Sequence, residues 1–252
     1  MISKKFSIVI PARLNSLRFK NKIIVNIFNL PMIEHVRRRA EKSKINKKSI
    51  FVVTNNKRIE KIVNTAGGNI LKSKKKHING TSRVAEIVNR LKTEFIIILQ
   101  GDEPLIRPSD INKIVQEIIK YPSYNVYNTV TNLKKNEFND KSVVKCIINN
   151  KKEILDFFRY KKKINKKNQY KKIQGILIFK KEVLSKYSKL IKSSNEIRKS
   201  IEQFRFLDNN FKIKTINLKK STQSVNYIKD LGKVINILKE DSEQKKIYNS
   251  LV

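Results

Sequence analysis

The residues best suited to chemistry are Gln100, Gly101, Asp102 and Glu103, which directly follow the apolar run at residues 95–99. Such a run is typical of a central strand in a parallel sheet, because both faces of that strand are covered. Open α/β sheets bind their ligands at the carboxyl ends of their strands. This position makes Asp102 a candidate metal ligand. Taken alone, the four residues are interpreted equally well as a simple turn.

A cationic loop is the second candidate. Residues 6–10 are predicted to form a short apolar strand, and the loop at residues 11–22 then carries Arg13, Arg18, Lys20 and Lys22. Arginine offers a planar fork that matches phosphate oxygens, and lysine offers a point charge. Arg13, Arg18 and Lys22 are therefore predicted to neutralise a triphosphate, whereas Lys20 is interpreted as part of a solvated loop.

The third candidate is the segment at residues 77–83, which leads into a helix with one apolar face. Backbone N–H groups at a helix start, with Thr81 and Arg83 beside them, can hold an anion or the edge of a base. The alternative for Thr81 is a simple N-cap.

The elements that must position these groups alternate along the chain. Strands are predicted at residues 6–10, 49–54 and 69–71, with helices at residues 31–44 and 56–66 between them. This order implies a parallel sheet with right-handed crossovers. The later predicted strands lie at residues 124–131, 141–148, 174–180 and 211–218, and the later helices at residues 181–191, 196–206 and 228–238.

A chain of 252 residues is long enough to bury a sizeable core, and we expect a single domain over residues 1–252. Residues 151–172 are so rich in lysine that a mobile excursion or a hairpin is predicted there. The tail from about residue 241 is predicted to be polar and loosely held.

Composition limits the possible partners. The net charge of +36 invites a nucleic-acid interpretation, but the lysines are spread along the whole chain together with Asn and Ile, residues encoded by A/T-rich codons. Aromatic residues are not interleaved to form a stacking platform, so no specific nucleic-acid partner is expected. No 20-residue apolar stretch exists, so we expect a cytoplasmic protein without a membrane partner. A single cysteine excludes an internal disulfide.

Four motifs, taken in their order and spacing, resemble the 3-deoxy-D-manno-octulosonate (Kdo) cytidylyltransferases, also called CMP-Kdo synthetases. They are IVIPAR at residues 8–13, PMIEHV at residues 31–36, NGTSR at residues 79–83 and QGDEP at residues 100–104. The QGDEP motif is the specific one, since many nucleotidyltransferases share the sequence Pro-Ala-Arg.

The resemblance implies a Rossmann-like nucleotidyltransferase fold of the α/β class. Its mostly parallel central sheet would have helices on both faces and a small dimerisation and sugar-side subdomain. The protein would be a homodimer that joins CTP and Kdo into CMP-Kdo and pyrophosphate with Mg²⁺, a step of lipopolysaccharide biosynthesis.

The resemblance also assigns roles to individual residues. The catalytic residues would be Asp102, Arg13 and Lys22. The nucleotide-binding residues would be Ala12, Arg13, Ser16, Arg18, Lys22, Gly80, Thr81 and Arg83. The sugar-binding residues would be Gln100, Arg159, Glu196 and Gln203, and the metal ligands Asp102 and Asn226.

The sequence departs from the family pattern at four places. No glycine lies between Arg18 and Lys22, the NGTSR motif lacks the usual glutamate, Ile173 replaces a histidine, and Asn226 replaces an aspartate. An asparagine can ligate Mg²⁺ through its carbonyl oxygen but adds no charge. Either Asp102 and the triphosphate hold the metal alone, or activity is reduced or lost.

Three alternatives therefore stay open. One is a catalytically degenerate paralogue that binds nucleotide or an active partner. Another is a cytidylyltransferase for a different sugar acid, such as 8-amino-Kdo or a sialic-type acid. The last is a nucleic-acid-binding protein, which is suggested by charge alone.

Overall fold

A computed structural model describes residues 5–16, 18–161, 165 and 167–252 of the chain. The strands in this part are β1 (Phe6–Pro11), β2 (Asn26–Ile27), β3 (Leu30–Pro31), β4 (Ile50–Thr54), β5 (Asn69–Lys72), β6 (Phe95–Ile98), β7 (Val126–Asn132), β8 (Lys145–Ile148), β9 (Ile154–Phe158), β10 (Gln169–Lys180) and β11 (Ile213–Asn217). The α-helices in the same part are α1 (Met32–Glu41), α2 (Lys57–Thr65), α3 (Gly80–Ile87), α4 (Pro108–Lys120), α5 (Lys181–Ser185), α6 (Ser194–Lys199), α7 (Phe204–Leu207), α8 (Ile228–Glu240) and α9 (Ser242–Asn249).

The central feature is a nine-stranded sheet whose main order is β11-β7-β10-β6-β1-β4-β5. Along this path every strand except β10 runs in the same direction, because only β10 pairs antiparallel with its neighbours β6 and β7. The predicted mostly parallel α/β sheet is thereby confirmed. β8 and β9 extend the sheet from the first part of β10 in antiparallel pairing.

The strand order reverses beside β1. After β1 the chain builds β4 and β5 on one side, and it then returns to place β6 on the other side of β1. In open α/β sheets such a switch point leaves a crevice at the carboxyl ends of the two strands. The loops after β1 and β6 carry the cationic segment and Asp102, so both reach this crevice.

Helices cover both faces of the sheet because its central strands are apolar on both faces. Ile8 and Ile97 point into a core shared with α1, α2 and α4. Their neighbours Val9, Ile96 and Ile98 point into a second core shared with α3, α5 and α7. The continuous apolar runs of β1 and β6 in the sequence follow from this double burial.

A smaller third core lies under α8. Val234 and Leu238 of this helix pack against Ile27, Leu105 and Val225, among others. Leu105 follows the QGDEP motif, and Val225 precedes Asn226. The packing of α8 therefore brings the two predicted metal-binding segments to the same side of the molecule.

The tail from residue 241 is not loosely held, and this prediction was wrong. It forms α9, in which the Gln244 side chain is completely buried. The amide Nε2 of Gln244 donates a 3.0 Å hydrogen bond to the carbonyl of Leu105, so a polar contact anchors a segment whose composition suggested exposure.

Residues 151–172 are not an excursion separate from the sheet. They contain β9 and the beginning of β10, both paired with β8. Residues 162–164 and 166 of this stretch lie outside the described part of the chain. The lysine-rich composition gave no sign of these strands in the sequence, because their formation depends on pairing with a partner strand and not on local hydrophobicity.

Several predicted boundaries also differ from the structure. The helix predicted at residues 196–206 is divided, because Ser200 takes a left-handed conformation with φ of 51° between α6 and α7. The strand predicted from residue 141 begins at Lys145, and the helix predicted to reach residue 191 ends at Ser185. Within the described residues, no helix combines the length and the hydrophobicity needed to cross a bilayer.

Removal of a core side chain from β6 should destabilise the fold. Ile97 is completely buried at the centre of the sheet, whereas Ile119 on α4 is 49% exposed. We expect Ile97→Ala to lower the free energy of unfolding by about 2–5 kcal/mol, because it removes buried methyl groups and leaves a cavity. The matched Ile119→Ala variant should cost less than about 1 kcal/mol. Urea denaturation measures both, and equal losses would contradict the assigned position of β6.

Candidate active site

A cleft lies where the loops after β1 and β6 meet the start of α3. It is partly open to solvent and has a cavity volume of about 150 Å³. Residues predicted from the sequence form much of its wall. They are Ala12, Arg13, Ser16, Arg18, Lys22, Gly80, Arg83, Gln100 and Asp102.

The Asp102 carboxylate is held by an ion pair with Lys22. The Lys22 ammonium donates to Oδ2 of Asp102 at 2.5 Å and to the carbonyl of Val225 at 2.9 Å. The amide of Val225 in turn donates to the backbone carbonyl of Asp102 at 2.9 Å. The Asp102 side chain keeps 25% exposure, so one face of the carboxylate is open to the cleft.

The backbone before Lys22 forms a tight turn at the position where the family pattern has a glycine. Asn21 precedes a short 3-10 turn at Lys22–Ile24 and has φ of 60°. Glycine takes this left-handed conformation without strain, and asparagine is among the residues that best tolerate it. The missing glycine therefore does not prevent the turn that brings Lys22 to Asp102.

Asn226 follows Val225 and leads into α8. Its Oδ1 accepts a 3.1 Å hydrogen bond from the guanidinium of Arg18, which also lies over the ring of Tyr227 at 5.3 Å. The amide of Asn226 donates to the Asp230 carboxylate at 3.0 Å. These contacts fix the segment, and they place the side-chain oxygen of Asn226 against a cation.

The start of α3 forms the opposite wall of the cleft. Asn79 is its N-cap, since the Asn79 side chain accepts from the amide of Ser82 at 2.8 Å. The alternative in which Thr81 is the N-cap is therefore wrong. A Cβ at Gly80 would lie only 2.9 Å from Pro11 and 3.1 Å from the side chain of Gln100. Glycine thus permits the helix to approach the loops after both central strands.

Two arginines give this wall a positive charge. Arg13 is exposed, and its guanidinium lies 3.4 Å from the carbonyls of His77 and Ile78. Arg83 is buried and donates to the hydroxyl of Ser73 at 2.5 Å. Burial lowers the pKa of Arg83, and the nearby charge of Arg13 lowers it further. Both groups are placed to attract an anion.

Glu103 is a buried carboxyl to which the sequence analysis gave no role. Its two oxygens accept hydrogen bonds from the hydroxyls of Ser224 and Thr222 at 2.7 and 2.8 Å. Burial raises the pKa of Glu103 to about 7, and the negative charge of Asp102 acts in the same direction. A Cβ at Gly175 would approach Oε1 of Glu103 to 2.7 Å, so a larger residue there would displace the carboxyl.

The residues predicted to bind the sugar are spread out. Gln100 lines the cleft, whereas Arg159, Glu196 and Gln203 are not part of its lining. Glu196 forms a buried bidentate ion pair with Arg205, at 2.7 and 2.8 Å. The guanidinium of Arg159 donates to the backbone carbonyls of Lys199 and Ser200. Gln203 donates to Asn128 Oδ1 at 3.2 Å.

Two buried oxygens lie near the start of α3 and close to each other. They are Oγ1 of Thr81 and Oε1 of Glu202. Burial raises the pKa of Glu202 to about 7. A hydrogen bond from the Thr81 hydroxyl lowers the pKa of Glu202 against the effect of burial, so the two side chains are partners of each other. The sequence analysis missed Glu202, although it directly precedes the predicted Gln203.

The structure offers few protein ligands for a metal. No group of three or more His, Cys, Asp or Glu side chains in the described part of the chain is arranged to hold an ion. Mg²⁺ is commonly bound by one or two carboxylates together with the phosphates of a substrate. The partly exposed carboxylate of Asp102 fits that pattern, whereas Asn226 is not among the residues that line the cleft and its amide oxygen faces Arg18.

Known proteins resemble this chain over most of its length. The sequence model of a family described as "Cytidylyltransferase" matches residues 7–231. The 3-deoxy-manno-octulosonate cytidylyltransferase of Escherichia coli is 33% identical over 218 residues, which cover 85% of this chain and 88% of the relative. The Fusobacterium nucleatum protein of the same name is 34% identical over 245 residues, or 94% of this chain and 98% of the relative.

A solved structure agrees with these relatives. It is described as CMP:2-keto-3-deoxy-manno-octonic acid synthetase complexed with CTP, and it superimposes with a TM-score of 0.88 at 31% identity. The match covers 94% of this chain and 99% of the other.

The buried carboxyl of Glu103 should make stability depend on pH. Its pKa rises from 4.5 in the unfolded chain to about 7 in the folded protein, so its contribution is greatest below pH 4.5 and is lost as the pH rises through 7. As the pH rises from 4.5 to 7, the wild type should lose stability relative to Glu103→Gln, and the difference in unfolding free energy should reach about 3 kcal/mol. Denaturation across this pH range measures the difference. Glu240→Gln, an exposed change on α8, should leave the profile unaltered, and parallel profiles for all three proteins would contradict the assignment.

Proposed function

The chain belongs to the cytidylyltransferase family, and from this we propose that it transfers CMP from CTP to a 3-deoxy-octulosonate-type sugar acid, releasing pyrophosphate. The product would be CMP-Kdo, an intermediate of lipopolysaccharide biosynthesis. One observation carries the proposal: the partly exposed carboxylate of Asp102 shares a cleft with four cationic side chains at the switch point of the sheet. The names of the similar enzymes support this choice of nucleotide and sugar acid.

The positive charge in the cleft is suited to binding a nucleoside triphosphate. Arg13, Arg18 and Lys22 all line the cleft. Catalysis of phosphoryl-type transfer depends mainly on positioning the reactants and neutralising their charge. In this proposal Arg13 and Lys22 hold the leaving pyrophosphate, and Arg18 binds a phosphate oxygen. The bond from the sugar hydroxyl to the α-phosphorus forms as the bond to pyrophosphate breaks.

We assign Mg²⁺ as the metal, with Asp102 as the charged protein ligand and Asn226 as a neutral one. When bound, this ion supplies polarisation of the α-phosphate and neutralises phosphate charge. Lys22 keeps the Asp102 carboxylate in place through their ion pair. Arg18 restrains Asn226.

The sugar acid is assigned to the side of the cleft between Gln100 and the start of α3. Gln100 lines this side, and its side-chain amide can form hydrogen bonds with hydroxyl groups of the sugar acid. Ile173, which replaces a histidine of the family pattern, is only partly buried and packs against the second core. Arg159, Glu196 and Gln203 stay predictions for this region.

We further propose a cytoplasmic homodimer whose single domain spans residues 1–252. The single domain is supported by the central sheet, which joins strands from β1 to β11, and by the packing of α8 against Leu105 and Val225 beside it. The antiparallel extension of β8 and β9 is our candidate for the dimer contact.

The direct test is pyrophosphate release by the purified protein with CTP, Mg²⁺ and Kdo, 8-amino-Kdo or a sialic-type acid. We expect the highest rate with Kdo, and Asp102→Asn should lower it on the order of 10²- to 10³-fold, because a positioned charge is lost. Asp208→Asn, an exposed change of the same type, should keep the rate. Absence of pyrophosphate with every acid would remove the enzymatic proposal and favour a degenerate paralogue.

Restoring the family carboxylate should improve metal binding. We expect Asn226→Asp to lower the Mg²⁺ concentration for half-maximal rate by roughly tenfold, about 1.4 kcal/mol, since it adds a charged ligand. Asn217→Asp adds the same charge at an exposed position, the last residue of β11, and should have no such effect. A titration of the rate with Mg²⁺ measures both variants, and an unchanged midpoint for Asn226→Asp would show that this position does not reach the ion.

A further inference from the structure

The C-terminal helix α9 holds the loop that follows Asp102. Gln244, which is completely buried, donates through Nε2 to the carbonyl of Leu105 at 3.0 Å. Its Oε1 accepts a 2.8 Å hydrogen bond from Arg39 of α1, and the same nitrogen of Arg39 lies 3.3 Å from the carbonyl of Ile106. Two consecutive carbonyls of the loop are thus bound by one buried polar pair.

The neighbouring residue of α9 makes a second connection. The Glu243 carboxylate accepts from Arg107 at 3.1 Å and from Lys220 at 3.2 Å. Arg107 continues the loop that begins at Asp102, and Lys220 begins the segment that leads to Asn226. One turn of α9 therefore contacts both segments that carry the assigned metal ligands.

The loop between Asp102 and Leu105 is short and internally hydrogen-bonded. The amide of Glu103 donates to the carbonyl of Gln100 at 3.2 Å, and the amide of Ile106 donates to the carbonyl of Glu103 at 3.2 Å. Leu105 lies three residues from Asp102, so a displacement of its carbonyl moves the backbone that bears the carboxylate.

We propose that α9 is part of the catalytic unit and that Gln244 is a positioning residue, which orients the Asp102 carboxylate by holding the carbonyl of Leu105. This inference rests on the proposed function. The helix lies beyond the segment matched by the family model, which ends at residue 231. The role therefore comes from the contacts of this chain and not from the family match.

The chemistry of the contact favours positioning over simple docking. Apolar packing would be enough to attach a helix, and burial of a polar pair gains little net stability. Nε and Nη2 of Arg39 are buried without a hydrogen-bond partner among the described residues, which is a further cost. Hydrogen bonds to two successive carbonyls define a geometry that apolar contacts do not.

Gln244→Glu separates the two roles of the side chain. The glutamate keeps an acceptor for Arg39 and so retains the attachment of α9 to α1. It has no donor for the carbonyl of Leu105 and sets a negative oxygen against it. Gln244→Met removes both hydrogen bonds, and Lys245→Gln, at an exposed site on the same helix, is the matched control.

Each full-length variant is measured in three ways: thermal unfolding, steady-state kinetics over a Mg²⁺ series, and binding of Mn²⁺ in the presence of CTP. For Gln244→Glu we expect an unfolding temperature near that of the wild type, a kcat roughly tenfold lower and Mn²⁺ affinity about tenfold weaker. Gln244→Met should show the same catalytic and metal-binding defects with a lower unfolding temperature. Lys245→Gln should match the wild type throughout.

The outcomes separate this inference from the proposed function. If Gln244→Glu keeps wild-type kcat and Mn²⁺ affinity, or if its losses only follow the fraction of unfolded protein, the positioning role is wrong. If the wild type binds Mn²⁺ and CTP but releases no pyrophosphate, the proposed reaction fails, and the binding data still decide the role of Gln244. A wild type that binds no Mn²⁺ with CTP overturns both proposals.

Discussion

The ion pair between Lys22 and Asp102 is the interaction on which the site depends. It joins the loop after β1 to the loop after β6, and the carbonyl of Val225 brings in the segment before α8. Without the ammonium, a partly buried carboxylate would lie beside the acidic Glu103 with no compensating charge. Desolvated charges need such partners, so the three segments are held together by electrostatics as well as by packing.

Two adjacent carboxyl groups have different environments and therefore different tasks. Asp102 faces the cleft, whereas Glu103 points into the protein and accepts from Ser224 and Thr222. Burial, together with the charge of Asp102, raises the pKa of Glu103 to about 7, which reduces repulsion between the neighbours. The carboxyl of Asp102 is thus left for a ligand, while the carboxyl of Glu103 binds the segment that leads to Asn226.

The local structure shows what the replacing residue does at two of the positions that depart from the family pattern. Asn21 takes the left-handed conformation that a glycine would have provided. Asn226 contributes no charge, and a cation, Arg18, lies against its side-chain oxygen. At Asn21 the left-handed turn is formed by a residue type that tolerates it, whereas at Asn226 no charge is added.

By itself, the sequence determined the central strands, the family and most of the cleft wall. Apolar runs such as β1 and β6 record burial on both faces, and the residues that follow them must lie at the carboxyl edge of a parallel sheet. Only the tertiary structure decided that Glu196 pairs with Arg205, that lysine-rich β9 joins the sheet and that Gln244 holds Leu105. Local periodicity reports which face of an element is buried. The pairing of polar groups is set only when segments distant in the chain meet and lose their water.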